Sequence, residues 1–156
     1  MGASRLRAAL SLGIAGALSL FAALLAHEIL TFGSSGHGII GRVTCPDWPC
    51  PTLSVITVGL VFKGIGAGLA LACLGALLPH APARLWGAGL LWVLQYLWGL
   101  VGIASGYRDQ FGPDWHWWQP FAVLMWDPVT TPALLIVGLL ACLGLDRLMA
   151  GPARPS

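Results

Sequence analysis

The chain has 156 residues, of which 57% are hydrophobic and only 9% are charged. An ordinary soluble domain has about 25% charged residues, so this composition leaves too few charges to cover a water-exposed globule. The mean hydropathy of +0.80 and the eight tryptophans are typical of a polytopic membrane protein. The net charge is +2, and the basic residues are scattered singly. Nucleic acid is therefore excluded as a partner, because its binding requires a basic stripe.

Four apolar windows reach the roughly 20 residues that a membrane-spanning helix needs. They predict a single domain, residues 1–150, that is an all-α bundle of four transmembrane helices at about 8–30, 53–78, 85–105 and 127–148. The fourth helix is placed at Asp127 because aspartate is a favoured N-cap and Pro128 fits the first helical position. A start at Phe121 is the alternative, and it would draw Asp127 into the membrane. Pro132 is expected to kink this helix.

The helices leave two long loops, 31–52 and 106–126, on one side of the membrane and a short hairpin, 79–84, on the other. The hairpin side carries five arginines and the long-loop side carries two: Arg5, Arg7, Arg84, Arg147 and Arg154 against Arg42 and Arg108. The positive-inside rule therefore predicts a bacterial inner-membrane protein with both termini cytoplasmic. The first apolar run is longer than the core of a signal peptide, which favours a retained helix. Residues 151–156 are expected to be a disordered tail.

Small residues recur at four-residue spacing in the first two helices. The rows are Ala9, Gly13 and Ala17 in the first helix and Gly64, Gly68, Ala72 and Ala76 in the second. Such rows allow two helix backbones to approach closely, so these two helices are predicted to pack against each other.

Lys63 lies about 15 Å inside the second helix, where a charge is costly in lipid. We expect it to face the bundle interior, with Glu28 or Asp127 as its partner. One interpretation is a buried ion pair that fixes helix register. The others are a ligand, ion or proton site and a lysine that snorkels to the interface.

The third helix carries Trp92, Gln95, Tyr96 and Gly99 on one face. A glutamine on this face predicts that it points inward. The tryptophans of the loop 106–126 fit an aromatic belt at the headgroup level. Alternatively, they cover the mouth of the bundle over an amphipathic ligand such as a lipid or a quinone. The histidines and carboxylates lack metal-ligand spacing, so no metal and no other cofactor are predicted.

Cys45 and Cys50 flank a short segment of the first outer loop, on the oxidising side of the membrane, and are expected to form a disulfide. Four helices with such a pair resemble the quinone-linked thiol oxidases of the disulfide-forming system. The chain departs from that pattern because four residues separate the two cysteines and the other outer loop has none. Cys73 and Cys142, within the second and fourth helices, are expected to behave as small hydrophobic residues.

The closing part of the chain contains Gln119-Pro-Phe-Ala122, then Trp126-Asp127 and Pro132-Ala-Leu. These segments resemble an uncharacterised family of short four-helix bacterial membrane proteins, which also have a glycine-rich third helix such as 97–102 here. The resemblance covers about the last third of the chain and implies no activity. It indicates that Asp127 and Pro132 are the positions to test.

Buried charge without a recognisable catalytic constellation predicts a non-enzymatic membrane protein. Its role would be that of an accessory or assembly subunit of a larger membrane complex, or a binder of a lipid-like ligand. The expected site comprises Lys63, Asp127, Glu28, Gln95 and Trp92. The alternatives are a membrane thiol or quinone oxidoreductase that uses Cys45 and Cys50, with quinone as its cofactor, and an oligomeric transporter or channel.

Overall fold

The computed structural model describes residues 3–32, 53–78, 80–106, 108 and 114–150. They form four long helices, α1 (Ala3–Phe32), α2 (Leu53–Leu77), α3 (Ala81–Gly106) and α4 (Thr130–Ala150), and a short π-helical segment, Phe121–Met125. No strand occurs among these residues, and all four helices are long and apolar enough to cross a membrane. The predicted all-α class with four candidate membrane spans is therefore confirmed.

Helix α1 is the central element of the bundle. In its most apolar window 56% of the residues are buried, whereas the corresponding share is 17% in α4. α1 packs along most of its length against α2 and α4, and α3 completes the bundle with fewer contacts. The core side chains include Leu12, Leu24, Leu71 and Leu100, all almost fully buried. The outward faces of the helices remain apolar, as expected for a surface in contact with lipid.

The closest approach of two backbones in the bundle lies between α1 and α2. A Cβ atom added to Gly68 would lie 2.7 Å from the carbonyl oxygen of Gly13 and 2.9 Å from the Cβ of Ala17. One added to Gly13 would lie 2.9 Å from the carbonyl oxygen of Gly68. The predicted packing of the two small-residue rows is thereby confirmed.

Helices α1 and α3 both begin earlier than their apolar windows. α1 includes Arg5 and Arg7, which are exposed and are good helix formers. α3 begins at Ala81 and holds Pro82 in its first turn, where the missing N–H has no intrahelical partner to lose. The hydropathy pattern could not include these turns because they are polar or contain proline.

The predicted cap of α4 at Asp127 is present, and a separate short helical segment begins at the alternative start, Phe121. Phe121–Met125 is π-helical, and Trp126 then adopts an extended conformation that breaks the helix. Asp127 caps the next helix, since its Oδ1 accepts hydrogen bonds from the backbone N–H groups of Val129, at 2.9 Å, and of Thr130. Pro132 is the third residue of α4 and lies five residues beyond the Asp127 cap, and the expected kink at this position stays a prediction.

Replacement of Gly68 by alanine is expected to destabilise the bundle by about 1–3 kcal/mol, because the new methyl group overlaps the backbone of α1. Gly59, in the same helix, has no atom within 4 Å of an added Cβ, so Gly59→Ala is the matched control. The measurement is unfolding of the purified protein in mixed detergent micelles as the fraction of denaturing detergent rises. Equal stability of the two variants would contradict the close approach.

Candidate functional site

A chain of buried polar groups centres on His27, which is 1% exposed in the last third of α1. Its Nδ1 lies 2.7 Å from the hydroxyl oxygen of Tyr96 on α3. Its Nε2 lies 2.8 Å from the backbone carbonyl oxygen of Met125, at the end of the π-helical segment. His27 therefore joins three separate parts of the chain at one point in the core.

The partners of His27 determine its tautomer. The carbonyl of Met125 can only accept a hydrogen bond, so the proton must be on Nε2. Neutral imidazole then has an acceptor at Nδ1, to which the Tyr96 hydroxyl donates. Both ring nitrogens are thus satisfied in the neutral form, as a fully buried imidazole requires.

The carbonyl of Met125 is available because the helix breaks immediately after it. Trp126 is extended, so no residue one turn further along the chain bonds to this carbonyl. The hydroxyl of the fully buried Thr131 donates to the same oxygen at 3.3 Å and accepts a bond from the Asp127 N–H at 3.0 Å. The break before α4 is thereby tied to both α1 and α4.

Trp92 belongs to the same set of buried, hydrogen-bonded side chains. Its indole N–H donates to the Ser19 hydroxyl at 2.9 Å, and its ring stacks on Tyr96 with a centroid distance of 5.5 Å. Trp92, Tyr96 and Gly99 are all buried, which confirms that this face of α3 points inward. In this arrangement Trp92 is a packing and hydrogen-bonding element of the core.

A separate cleft holds Lys63 and Gln95, two residues of the expected site. The cleft has a volume of about 250 Å³ and is lined by Leu20 of α1, Lys63, Gly66 and Ala67 of α2, and Gln95, Trp98 and Gly99 of α3. The Lys63 ammonium lies against Gly102, where an added Cβ would be 2.6 Å from Nζ. The Gln95 Oε1 is buried and has no hydrogen-bond partner in the described part of the chain.

The expected ion pairs of Lys63 with Glu28 or Asp127 are not present. The structure describes all three residues and shows no carboxylate within 4.0 Å of the Lys63 Nζ among its described residues. Asp127 is engaged as the cap of α4, and Glu28 is buried on α1, next in sequence to His27. The expected five-residue site is therefore divided among a cleft, a core hydrogen-bond chain and a helix cap.

A third polar cluster lies at the opposite end of the bundle and was not anticipated from the sequence. Asp146, in the last turns of α4, accepts a hydrogen bond from the Ser11 hydroxyl of α1 at 2.7 Å. Its second carboxylate oxygen lies 3.7 Å from the Arg84 guanidinium of α3. Ser11 and Asp146 are 135 positions apart in the chain, so no local sequence pattern signals their contact.

The expected Cys45–Cys50 disulfide falls outside the described residues, as does most of the first outer loop. Of the described cysteines, Cys73 is exposed on α2 and Cys142 is buried on α4, and both are free thiols. Within the described residues, no group of three or more histidine, cysteine or carboxylate side chains is arranged to hold a metal ion.

No known protein family, curated protein or solved structure matches this chain. The similarity of its closing segments to short four-helix bacterial membrane proteins therefore stays a prediction. The function has to be argued from the geometry of the three polar sites.

Tyr96→Phe is expected to destabilise the fold by about 1–3 kcal/mol, because it leaves the buried Nδ1 of His27 without a donor. Trp98→Phe, which changes a 74% exposed aromatic residue on the same helix, is the control and should have little effect. The measurements are thermal unfolding in detergent and the ¹⁵N resonance of the His27 Nδ1. An unchanged Nδ1 resonance in Tyr96→Phe would contradict the hydrogen bond.

Proposed function

We propose that this chain is a small, non-enzymatic membrane protein that binds a lipid-like ligand in the cleft between α2 and α3. The observation that carries the proposal is that two polar groups without partners among the described residues share one cleft. The Lys63 ammonium has no carboxylate partner, and the Gln95 Oε1 has no donor, in the described part of the chain. A ligand that carries both an acceptor and a hydroxyl donor would satisfy both groups.

The depth of the cleft supports a ligand that resides within the bilayer. Lys63 lies about 15 Å along α2 from its start at Leu53, near the middle of a hydrocarbon core about 30 Å thick. An ammonium group at this depth is costly, and intramembrane charges commonly mark binding sites or pathways. A ligand head group with oxygen acceptors would lower that cost.

The walls of the cleft support an apolar body for the ligand. Besides Lys63 and Gln95, the lining consists of glycine, alanine, leucine and tryptophan side chains. Trp98 is 74% exposed, so the cleft borders the outward face of the bundle, which meets lipid in this proposal. The described lining includes no histidine, serine, cysteine or carboxylate that could act as a nucleophile or base. These features favour binding over catalysis, with a fatty acid in its carboxylic acid form or an isoprenoid quinol as the ligand type, because each carries an acceptor and a hydroxyl donor.

The orientation in the membrane is part of the proposal. Arg5, Arg7, Arg84 and Arg147 all belong to the end of the bundle that contains Asp146. By the positive-inside rule this end faces the cytoplasm, which places both termini there and His27 toward the outer side. In this arrangement the protein acts as a ligand-binding subunit of the inner membrane, alone or within a larger complex.

Lys63→Met is expected to weaken ligand binding about tenfold or more, since a hydrogen bond to a charged group contributes roughly 1.5–3 kcal/mol. The probe is a fatty acid with a photoreactive diazirine in its chain, and the readout is the cross-linking yield on α2 and α3 peptides. A decyl-chain benzoquinol, added as competitor, tests the second ligand type. Phe62→Met is the matched control, because Phe62 is exposed beside Lys63 but does not line the cleft.

Gly102→Ala provides a second variant that keeps the charge of Lys63. Its methyl group would displace the flexible end of Lys63, so a partial loss of cross-linking is expected with the fold intact. The proposal fails if Lys63→Met and Phe62→Met label equally while both remain folded by circular dichroism.

The proposed orientation predicts that a fluorescent protein fused after residue 150 fluoresces, whereas alkaline phosphatase at the same position is inactive. The physical reason is the excess of arginine at this end of the bundle. The measurement compares both reporters in intact cells at equal expression. Active phosphatase at this position would reverse the assignment of the two sides.

A further inference from the structure

The Asp146 end of the bundle holds a second cavity, separate from the Lys63 cleft. Its volume is about 260 Å³, and it lies between α1, α3 and α4. Its lining combines apolar residues, Leu12, Leu85, Ala88 and Leu143, with three charged residues, Arg84, Asp146 and Arg147. We propose that this cavity binds the phosphodiester head group of an anionic phospholipid.

The charges of the cavity favour an anion. Asp146 is already engaged, because one carboxylate oxygen accepts from Ser11 and the other faces Arg84. The Arg84–Asp146 distance of 3.7 Å is long for a charge-assisted hydrogen bond, so the guanidinium keeps donors for a second acceptor. Arg147 is exposed and has no ion-pair partner within the described residues. The cavity therefore has one positive charge in excess.

The apolar residues of the lining favour a lipid over a free phosphate ion. Leu12, Leu85 and Leu143 offer a surface for the first methylene groups of an acyl chain. A small soluble phosphate would leave this surface without a partner. The cavity involves the first turns of α3 and the last turns of α4, so it lies at the level where lipid head groups meet water in the proposed membrane arrangement. Arginine is suited to this role because its planar donors match phosphate oxygens.

This site does not depend on the ligand proposed for Lys63, because the two cavities share no lining residue. The experiment uses the full chain in nanodiscs that contain phosphatidylcholine with a minor fraction of phosphatidylglycerol. Retained phosphatidylglycerol is counted by native mass spectrometry after release from the disc. The wild-type protein is expected to retain phosphatidylglycerol in preference to phosphatidylcholine.

Arg147→Gln is expected to lower phosphatidylglycerol retention about fivefold, the effect of one basic residue at an anionic lipid surface. Arg5→Gln is the matched control, since Arg5 is exposed at the same end and does not line the cavity. Arg84→Lys keeps a positive charge beside Asp146 but loses the planar fork, so a smaller reduction is expected. Unchanged melting temperatures verify that the variants remain folded.

Three results would overturn the proposal. Equal losses in Arg147→Gln and Arg5→Gln would indicate diffuse surface charge without a site. No preference for phosphatidylglycerol over phosphatidylcholine would remove the anion selectivity. Complete displacement by soluble glycerol phosphate would assign the cavity to a free phosphate ester, in contradiction to the role proposed for the apolar lining residues.

Discussion

The two hydrogen bonds of His27 are the contacts on which one end of the bundle depends. In a hydrocarbon environment every buried polar group must find its partner within the protein. His27 meets this requirement with the Tyr96 hydroxyl on α3 and the Met125 carbonyl before α4. These partners come from distant parts of the chain, so the histidine fixes the position of α3 and of the π-helical segment relative to α1. The break before α4 is therefore part of the core and not a simple loop.

Whether a buried polar group has a hydrogen-bond partner within the protein distinguishes the structural polar groups from the candidates for ligand binding. His27, Trp92 and Thr131 have partners and are almost completely buried, which identifies them as elements of the fold. Gln95 departs from this rule within the described chain, because its buried Oε1 has no partner. Lys63 lies in the same cleft without a carboxylate within reach among the described residues. The described residues do not offset the free-energy cost of burying these two polar groups. This is the physical reason to propose a ligand in the cleft.

The sequence predicts those features that arise from local patterns. Apolar length predicts the four helices, four-residue spacing predicts the Gly13–Gly68 approach, and Asp127-Pro128 predicts the cap of α4. The surroundings of Lys63 and the partners of Tyr96 and Asp146 depend on how helices far apart in sequence are rotated and placed, and no local pattern encodes this. Charge and approximate depth are the only sequence features that favour Glu28 or Asp127 as a partner of Lys63. Capping of α4 engages Asp127 instead, because the backbone N–H groups at the start of a helix compete for the same carboxylate.

The arrangement of charge along the bundle connects the two proposed binding sites. At the Asp146 end, Arg84 and Arg147 lie beside a carboxylate whose oxygens are occupied, so an arriving anion meets excess positive charge without displacing Ser11. No described carboxylate lies close enough to pair with Lys63, so in the proposed function the ligand in the cleft would compensate its charge. In the proposed arrangement a head group at the Asp146 end would lie at the interface, where water competes for it. A head group at Lys63 would lie in the bilayer interior, away from water, so we infer that the Lys63 cleft confers ligand selectivity and the Asp146 cavity confers attachment to anionic lipid.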